Sequence, residues 1–455
     1  MSSDAGEKAP GKRAATGARA FARAGLTSIL VMALGVITGV LVARVLGAEN
    51  RGYLAAIVFW PQLLSTVLRI PFSNVIVVLK DRGHDVEALA RQALRIAMIG
   101  IVISTPVIVL AALFLVGDTG GDHALLTSVF AVVLVFCSQQ TQVFEGVLRA
   151  TGRFDLVNAL RISVPLGYLV FGTVFALLGL DLAGFVIAHV LAMIFSYGFR
   201  LFLRRGSGSG GAEDAPSTRV LLQSAASFYG VSISVYLTSN VDRMLVLLAA
   251  TPAMVGQYFV AMTVAQPVNS IVITMLQSVG LPQLVQMTGQ RQVMAFGRLM
   301  RATVLLSGAS AIVVAILAPF VVSVVFGAEF APAGVLAAQL SLALLLGPVR
   351  HAAGQLLMAI GQQRVVTLSN IVFVALFSLS FLSGQVVGVG PAAAIGFLVG
   401  NAAALAMVMV AIRKHDPVMA SWATLLPRGA DVRELSGILS HAARRFSAAF
   451  GRRRK

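Results

Sequence analysis

Apolar residues run almost unbroken through the chain from Gly25 to Ile412, and short polar clusters cut that run into twelve stretches. Each is long enough for a helix to cross a bilayer, since roughly 20 residues at about 1.5 Å rise cover a hydrocarbon core about 30 Å thick. The pattern predicts spans at 24–46, 53–79, 93–116, 124–148, 158–179, 182–203, 219–249, 255–285, 299–326, 333–360, 364–386 and 389–412. The expected fold class is all-α, a polytopic membrane protein of about 12 transmembrane helices in two six-helix lobes. Composition removes the soluble alternative. The chain is 58% hydrophobic and 12% charged, against about 25% charged in an ordinary soluble domain, so no polar shell remains to coat a core of this size.

The polar clusters also set an orientation, because Lys and Arg in short loops mark the cytoplasmic side. With the N-terminus inside, that side collects Lys8, Lys12, Arg13, Arg19 and Arg23, then Lys80, Arg82, Arg91 and Arg95 after the second span. Arg149, Arg153 and Arg161 follow the fourth span, Arg200, Arg204, Arg205 and Arg219 the sixth, Arg291, Arg298 and Arg301 the eighth, and Arg364 the tenth. The tail from Arg413 carries the rest, so all but five of the 35 basic residues lie on one side and both termini are expected to be cytoplasmic. The net charge of +17 is this topological signal and does not point to nucleic acid. The basic stretch before Gly25 feeds a span too long for a signal-peptide core, which predicts a retained first helix. Cys137 is the single cysteine and the six histidines are scattered, so neither a disulfide framework nor a metal or other cofactor is expected.

Two halves are legible. Residues 204–218, rich in Gly and Ser, read as a flexible cytoplasmic linker between an N-lobe (24–203) and a C-lobe (219–412), flanked by a basic tail at 1–23 and another at 413–455. Motifs recur across it. Gly52 and Gly256 close similar turns at an offset of 204 residues, Gly117 and Gly327 end spans at 210, and Gly152 and Gly361 at 209. The second and eighth spans both pair proline with glutamine, at Pro61-Gln62 with Pro71 and at Gln266-Pro267 with Pro282. Repeats of six helices share one orientation, which places their axis along the membrane normal and the substrate path between the lobes.

The same segments carry a family resemblance. Val42-Ala43-Arg44-Val45-Leu46-Gly47-Ala48-Glu49-Asn50-Arg51-Gly52, then Asn240-Val241-Asp242-Arg243 with Val255-Gly256-Gln257-Tyr258, and finally Ala318-Pro319-Phe320 through Phe326-Gly327-Ala328-Glu329-Phe330 resemble three motifs of the Wzx-type polysaccharide transporter family. That family belongs to the superfamily holding lipid II flippases and MATE-type multidrug exporters. The resemblance, over roughly 24–412, implies alternating access that moves a polyprenyl-diphosphate-linked oligosaccharide across the bacterial inner membrane for cell-surface polysaccharide assembly. It implies a lipid-linked oligosaccharide and the bilayer as partners, with other glycan-assembly proteins beside them.

Five arginines lie off the cytoplasmic side: Arg44, Arg51, Arg69, Arg243 and Arg350. A charge inside the bilayer costs roughly 2.5–3.5 kcal/mol on insertion scales, so it persists where it faces a wet cavity or a partner. Guanidinium stays charged and offers paired donors to phosphate oxygens, which makes Arg69, Arg350, Arg243 and Arg44 candidates for a cationic substrate path. The rival readings are interfacial or loop-stabilising roles for Arg44 and Arg51, and a structural partner for Arg243. Gln139 and Gln142, from the polar run Ser138-Gln139-Gln140-Thr141-Gln142, and Asn74 are candidates for sugar hydroxyls, with helix–helix hydrogen bonding as the rival. Asp242 and Glu145 are candidates for ion coupling or for structural pairing.

A membrane-embedded glycan polymerase or ligase is disfavoured because every outer loop is short. A MATE-type exporter of organic cations remains the alternative, and the excess of arginine over acid within the spans argues against it. The C-terminal stretch 431–450 places Leu435, Ile438, Leu439, Ala442, Phe446 and Phe450 at helical spacing, predicting a basic amphipathic helix on the anionic leaflet or a docking helix for a cytoplasmic partner.

Overall fold

A computed structural model describes residues 10–116, 124–204, 217–276 and 289–419, with residues 284 and 287. The linker core and the C-terminal stretch 431–450 lie outside the described residues, as do Gly117 and Pro282. The helices are α1 (Pro10–Leu68), α2 (Phe72–Asp81), α3 (Val86–Val116), α4 (Ala124–Ala150), α5 (Phe154–Leu177), α6 (Leu182–Arg204) and α7 (Thr218–Ala249). They continue as α8 (Pro252–Met275), α9 (Gly289–Phe326), α10 (Ala331–Ala343), α11 (Leu346–Ala359), α12 (Gln363–Ser383) and α13 (Val389–His415). No strand occurs among the described residues.

Ten of these stretches are long and apolar enough to cross a membrane. One of them, Gly25–Asp81, is 57 residues long and holds two spans. Gly47 sits inside α1 at φ 69°, ψ −178°, in the left-handed region that only glycine adopts freely. Beyond it the chain doubles back: Arg51 Nη1 donates to Gly39 O at 3.2 Å, whereas a straight helix would hold those backbones about 18 Å apart. With α8 added, the count agrees with the twelve expected spans. The helices present apolar side chains outward, among them Val102 (70% exposed), Leu110 (68%) and Phe114 (87%) on α3, and Ile316 and Phe320 (70% each) on α9. Water does not tolerate so continuous a patch, and lipid does. The protein is a multi-pass membrane protein.

The chain forms two compact units. The first gathers Met1–Asn240, Leu247–Thr263 and Ser323–Phe330; the second gathers Val241–Val246, Val264–Val322 and Ala331–Lys455. In the first, Phe72, Ile76 and Leu79 of α2 pack with Leu89 and Ala93 of α3, Val143 of α4 and Leu221 of α7. In the second, Val272, Phe296, Met300, Leu356 and Val408 form a comparable core. Beside it, Phe373, Phe377 and Phe381 of α12 stack in a ladder, with Phe397 of α13 4.9 Å from Phe377. This close approach needs small residues opposite: a Cβ on Gly396 or Gly400 would lie 3.0 Å from the Phe377 or Phe373 ring, the small-xxx-small device of membrane helix pairs.

The internal repeat is built into the backbone. Gly152 and Gly361, 209 residues apart, adopt φ 71° and 80°. Each ends its helix with the same bond, Arg153 N to Leu148 O at 2.8 Å and Gln362 N to Leu357 O at 2.7 Å. Gly179 and Gly388, at the same offset, adopt φ 73° and 98°. Near the other helix ends, the turns Gly47–Gly52 and Thr251–Gly256 meet within the first unit, where Gly52 packs on Pro252 O and Gly256 on Ala48 O.

Gly400→Leu should cost about 1–3 kcal/mol by overpacking and lower the melting temperature in detergent by several degrees. Gly35→Ala, whose Cβ would meet nothing within 4 Å, should leave it unchanged or slightly raised. Fluorescence-detected size-exclusion chromatography after a heating series checks both.

Candidate functional site

The second span loses its helix at its middle. Pro71 has no N–H, and its ring disfavours helical geometry at Ile70; the chain leaves α1 after Leu68 and restarts as α2 at Phe72, with Pro71 at φ −79°, ψ 55°. Such a break inside a membrane is tolerated where other groups satisfy the freed backbone. Here the Tyr229 hydroxyl donates to Val67 O, and Phe72 N–H bonds Ile70 O at 2.8 Å. Pro61, Pro267 and Pro319 are accommodated inside continuous helices, so proline alone does not make the break.

Arg69 stands at this break, half-buried, and among the described residues its guanidinium makes neither a hydrogen bond nor an ion pair. It lies in the field of Glu145 on α4 and of Tyr236 on α7. Glu145 is itself bound to Arg149 at 3.1 Å, so it does not neutralise Arg69 outright. Asn74 follows in the first turn of α2, exposed. The restarted helix begins beside Arg69 with its first N–H groups largely taken up locally, Phe72 N–H by Ile70 O and Asn74 N–H by Pro71 O at 3.2 Å.

The polar run on α4 faces four neighbours. Ser138 bonds Ser65 of α1 at 2.8 Å, Gln142 accepts from Ser73 of α2 at 2.9 Å, Gln140 reaches Met98 of α3, and Thr141 receives Arg200 of α6. Gln139 is 2% exposed, and its Oε1 makes no hydrogen bond. Arg200 is the residue that the sequence misplaces. Its position groups it with the cytoplasmic basic cluster, yet it is 7% exposed and donates to Thr141 Oγ1, to Ser196 Oγ at 3.1 Å and to Cys137 O at 3.5 Å. A signal is present, since the sixth span extends to 203 and Ser196 precedes Arg200 by one helical turn.

In the second unit, Arg243 donates to Gln266 Oε1 at 2.6 Å, and Asp242 is 1% exposed. Arg350 donates to Asn370 Oδ1 at 2.8 Å and lies 4.9 Å over the Phe373 ring. Among the described residues, these partners are neutral and no acid pairs with that charge. Arg44 sits elsewhere, just before the Gly47 turn inside α1, with its Nε on Val325 O at 2.6 Å and Nη2 on Val324 O at 2.5 Å. Among the described residues, no three His, Cys, Asp or Glu side chains come together as metal ligands.

Comparison with known proteins agrees with this architecture. The chain is similar to an inward-facing multidrug-resistance MATE transporter of the MOP superfamily, with TM-score 0.70 and 16% identity over 87% of this chain and 98% of the other. It is similar to the lipid II flippase MurJ in its inward closed conformation, with TM-score 0.65 and 10% identity over 86% and 87%. A third likeness, at TM-score 0.55 and 17% identity over 88% and 96%, is to a MOP superfamily transporter from Pyrococcus furiosus described as having a binding pocket of reverse polarity. No curated protein sequence matches. The family model for polysaccharide biosynthesis proteins matches residues 21–288, more than half of the chain's 455 residues. The chain therefore belongs to the polysaccharide biosynthesis protein family, on the fold of the MOP superfamily.

Proposed function

We propose that the protein is a transporter, not an enzyme, that moves a polyprenyl-(di)phosphate-linked oligosaccharide across the bacterial inner membrane by alternating access, with both termini cytoplasmic. The observation that carries this reading is Arg69: a guanidinium without a hydrogen-bonded partner among the described residues, held within a span at a break in its helix. A bare charge there is costly unless something of opposite sign visits it, and a diphosphate fits the fork of donors that a guanidinium offers. Asn74, one turn along, suits a sugar hydroxyl. In the second unit Arg350 supplies another cation whose partners are neutral, and Arg243 a third beside Gln266. Gln142 and Arg44 are already engaged, so they rank behind these. For ion coupling, Asp242 is the better candidate on burial, being 1% exposed within its span.

In cells that depend on this protein for surface glycan, Arg69→Ala and Arg350→Ala should each reduce export roughly 10- to 100-fold. That is the worth of one charge-assisted hydrogen-bonding group at about 1.5–3 kcal/mol. The double variant should abolish export with membrane abundance intact. Unchanged glycan display in the double variant refutes the assignment, and efflux of organic cations that survives it would favour the exporter. Asp242→Asn should remove any dependence of export on the sodium or proton gradient while leaving protein levels unchanged, a comparison made with ionophores in the same cells.

A further inference from the structure

We propose that the groove between the start of α12 and the end of α13 binds one anionic phospholipid, its phosphate against Lys414 and His415 and an acyl chain along the apolar wall of α13. The proposal takes from the transport reading above only the cytoplasmic placement of that helix end, which makes the ligand a lipid of the inner leaflet. Its geometry stands within the second unit alone.

The groove follows from how the two helices pair. The face of α13 that meets the phenylalanine ladder through Gly396 and Gly400 returns three turns later as Met407 and Ala411, eleven residues on in each case. Glycine lets the helices touch, and methionine does not. Between them lies a cavity of about 420 Å³, walled by Val365 of α12 and by Met407, Val410 and Ala411 of α13. Gln362, Lys414 and His415 line the same cavity at the helix ends. Val410 is 55% exposed, so this wall opens sideways to lipid. The volume is that of a small-molecule site.

The polar end carries charge of one sign. Lys414 and His415, the last two residues of α13, are exposed, as are Arg413 beside them and Arg364 in the first turn of α12. Among the described residues, none of the four makes a hydrogen bond or an ion pair. The nearest acid along the chain, Asp416, is turned to its own backbone, where Oδ1 accepts the Val418 N–H at 2.9 Å. Gln362 precedes α12 as its N-cap, yet its side chain makes no capping bond, so its amide also has donors to give. A phosphate diester accepts from all of these groups.

Basic residues at a helix end complement the dipole and mark an interface wherever they occur, but neither role calls for a cavity. A soluble phosphate has no use for the wall of Met407, Val410 and Ala411. A phospholipid uses both parts, as in the basic pockets between membrane helices that take anionic headgroups. The chain's own tail has the wrong sign for the groove, since it carries Arg444, Arg445 and the run from Arg452 to Lys455.

The test uses the full-length protein purified in detergent, with phosphatidylglycerol as the probe and bound lipid counted by native mass spectrometry. Phosphatidylcholine of the same chains should bind at least about tenfold more weakly. Lys414→Gln/His415→Gln should weaken phosphatidylglycerol binding about fivefold or more, the worth of one basic residue at an anionic surface. Ala411→Phe should weaken it as well, by filling the groove without changing any charge. Lys80→Gln/Arg82→Gln, which removes two other basic residues of the cytoplasmic side, should leave it unchanged. Because Ala411→Phe risks misfolding, the variant at Lys414 and His415, both exposed, decides the case in protein that remains monodisperse. Equal affinity for the two lipids, equal loss in the Lys80/Arg82 variant, or no loss in the Lys414/His415 variant overturns the proposal. Displacement of the lipid by inorganic phosphate at equal concentration does so too, because the occupant would then be a soluble anion. Purified protein needs neither cargo nor orientation, so loss of the flippase reading and loss of the lipid site are separate outcomes.

Discussion

Inside a bilayer no water stands ready to hydrogen-bond a free N–H or C=O, so every departure from helix must be served by the protein itself. Among the described residues, several polar backbone groups can be followed to the side chain that serves them. The break after Leu68 is served by the Tyr229 hydroxyl, the end of α9 by Arg44, the backbone at Gly39 by Arg51, and the start of the second limb of α1 by Glu329. The constraint sorts the internal charges by what they do. Arg44 and Arg51 bind backbone, whereas Arg243 and Arg350 bind neutral amides. Arg69 stands apart because the break beside it is satisfied without its help, by the Tyr229 hydroxyl and the Phe72 N–H.

Hydropathy makes the spans legible because the solvent is the bilayer and length is the whole requirement. The turn motifs are legible for a related reason. A positive φ or a backbone contact closer than a methyl group permits only glycine, so Gly52, Gly152, Gly256 and Gly361 write the repeat into the sequence before any packing is known. The doubling of one long helix at Gly47 follows for the same reason, from a polar cluster that also carries a glycine. Partners are not legible. Ser138 to Gln142 read as a polar face in search of sugar, yet four of the five meet side chains on α1, α2, α3 and α6. Which neighbour a helix face meets depends on lateral packing, about which a hydropathy profile is silent. Arg200 escapes notice through the same blindness, since a basic residue near a span end reads as an interfacial anchor until the neighbouring helix is seen.

Arg200 also completes a pattern that neither half shows alone. The repeat maps Arg243 onto Gly39 at the 204-residue offset, and Arg350 onto Thr141 at the 209-residue offset. Neither Gly39 nor Thr141 bears a charge, and on the sequence the two halves look electrostatically unlike. In space a guanidinium is nonetheless delivered to each: Arg51 reaches Gly39 O at 3.2 Å, and Arg200 reaches Thr141 Oγ1. Among the described residues, the arginines whose Nε is buried without a hydrogen bond are these four, Arg51, Arg200, Arg243 and Arg350. An arrangement that needed only helix-to-helix hydrogen bonds would be met more cheaply by serine or asparagine, which carry no ionic desolvation cost. Equivalent addresses in the two halves thus each hold a guanidinium, brought by different residues, and the packing around both carries the desolvation cost of a buried cation.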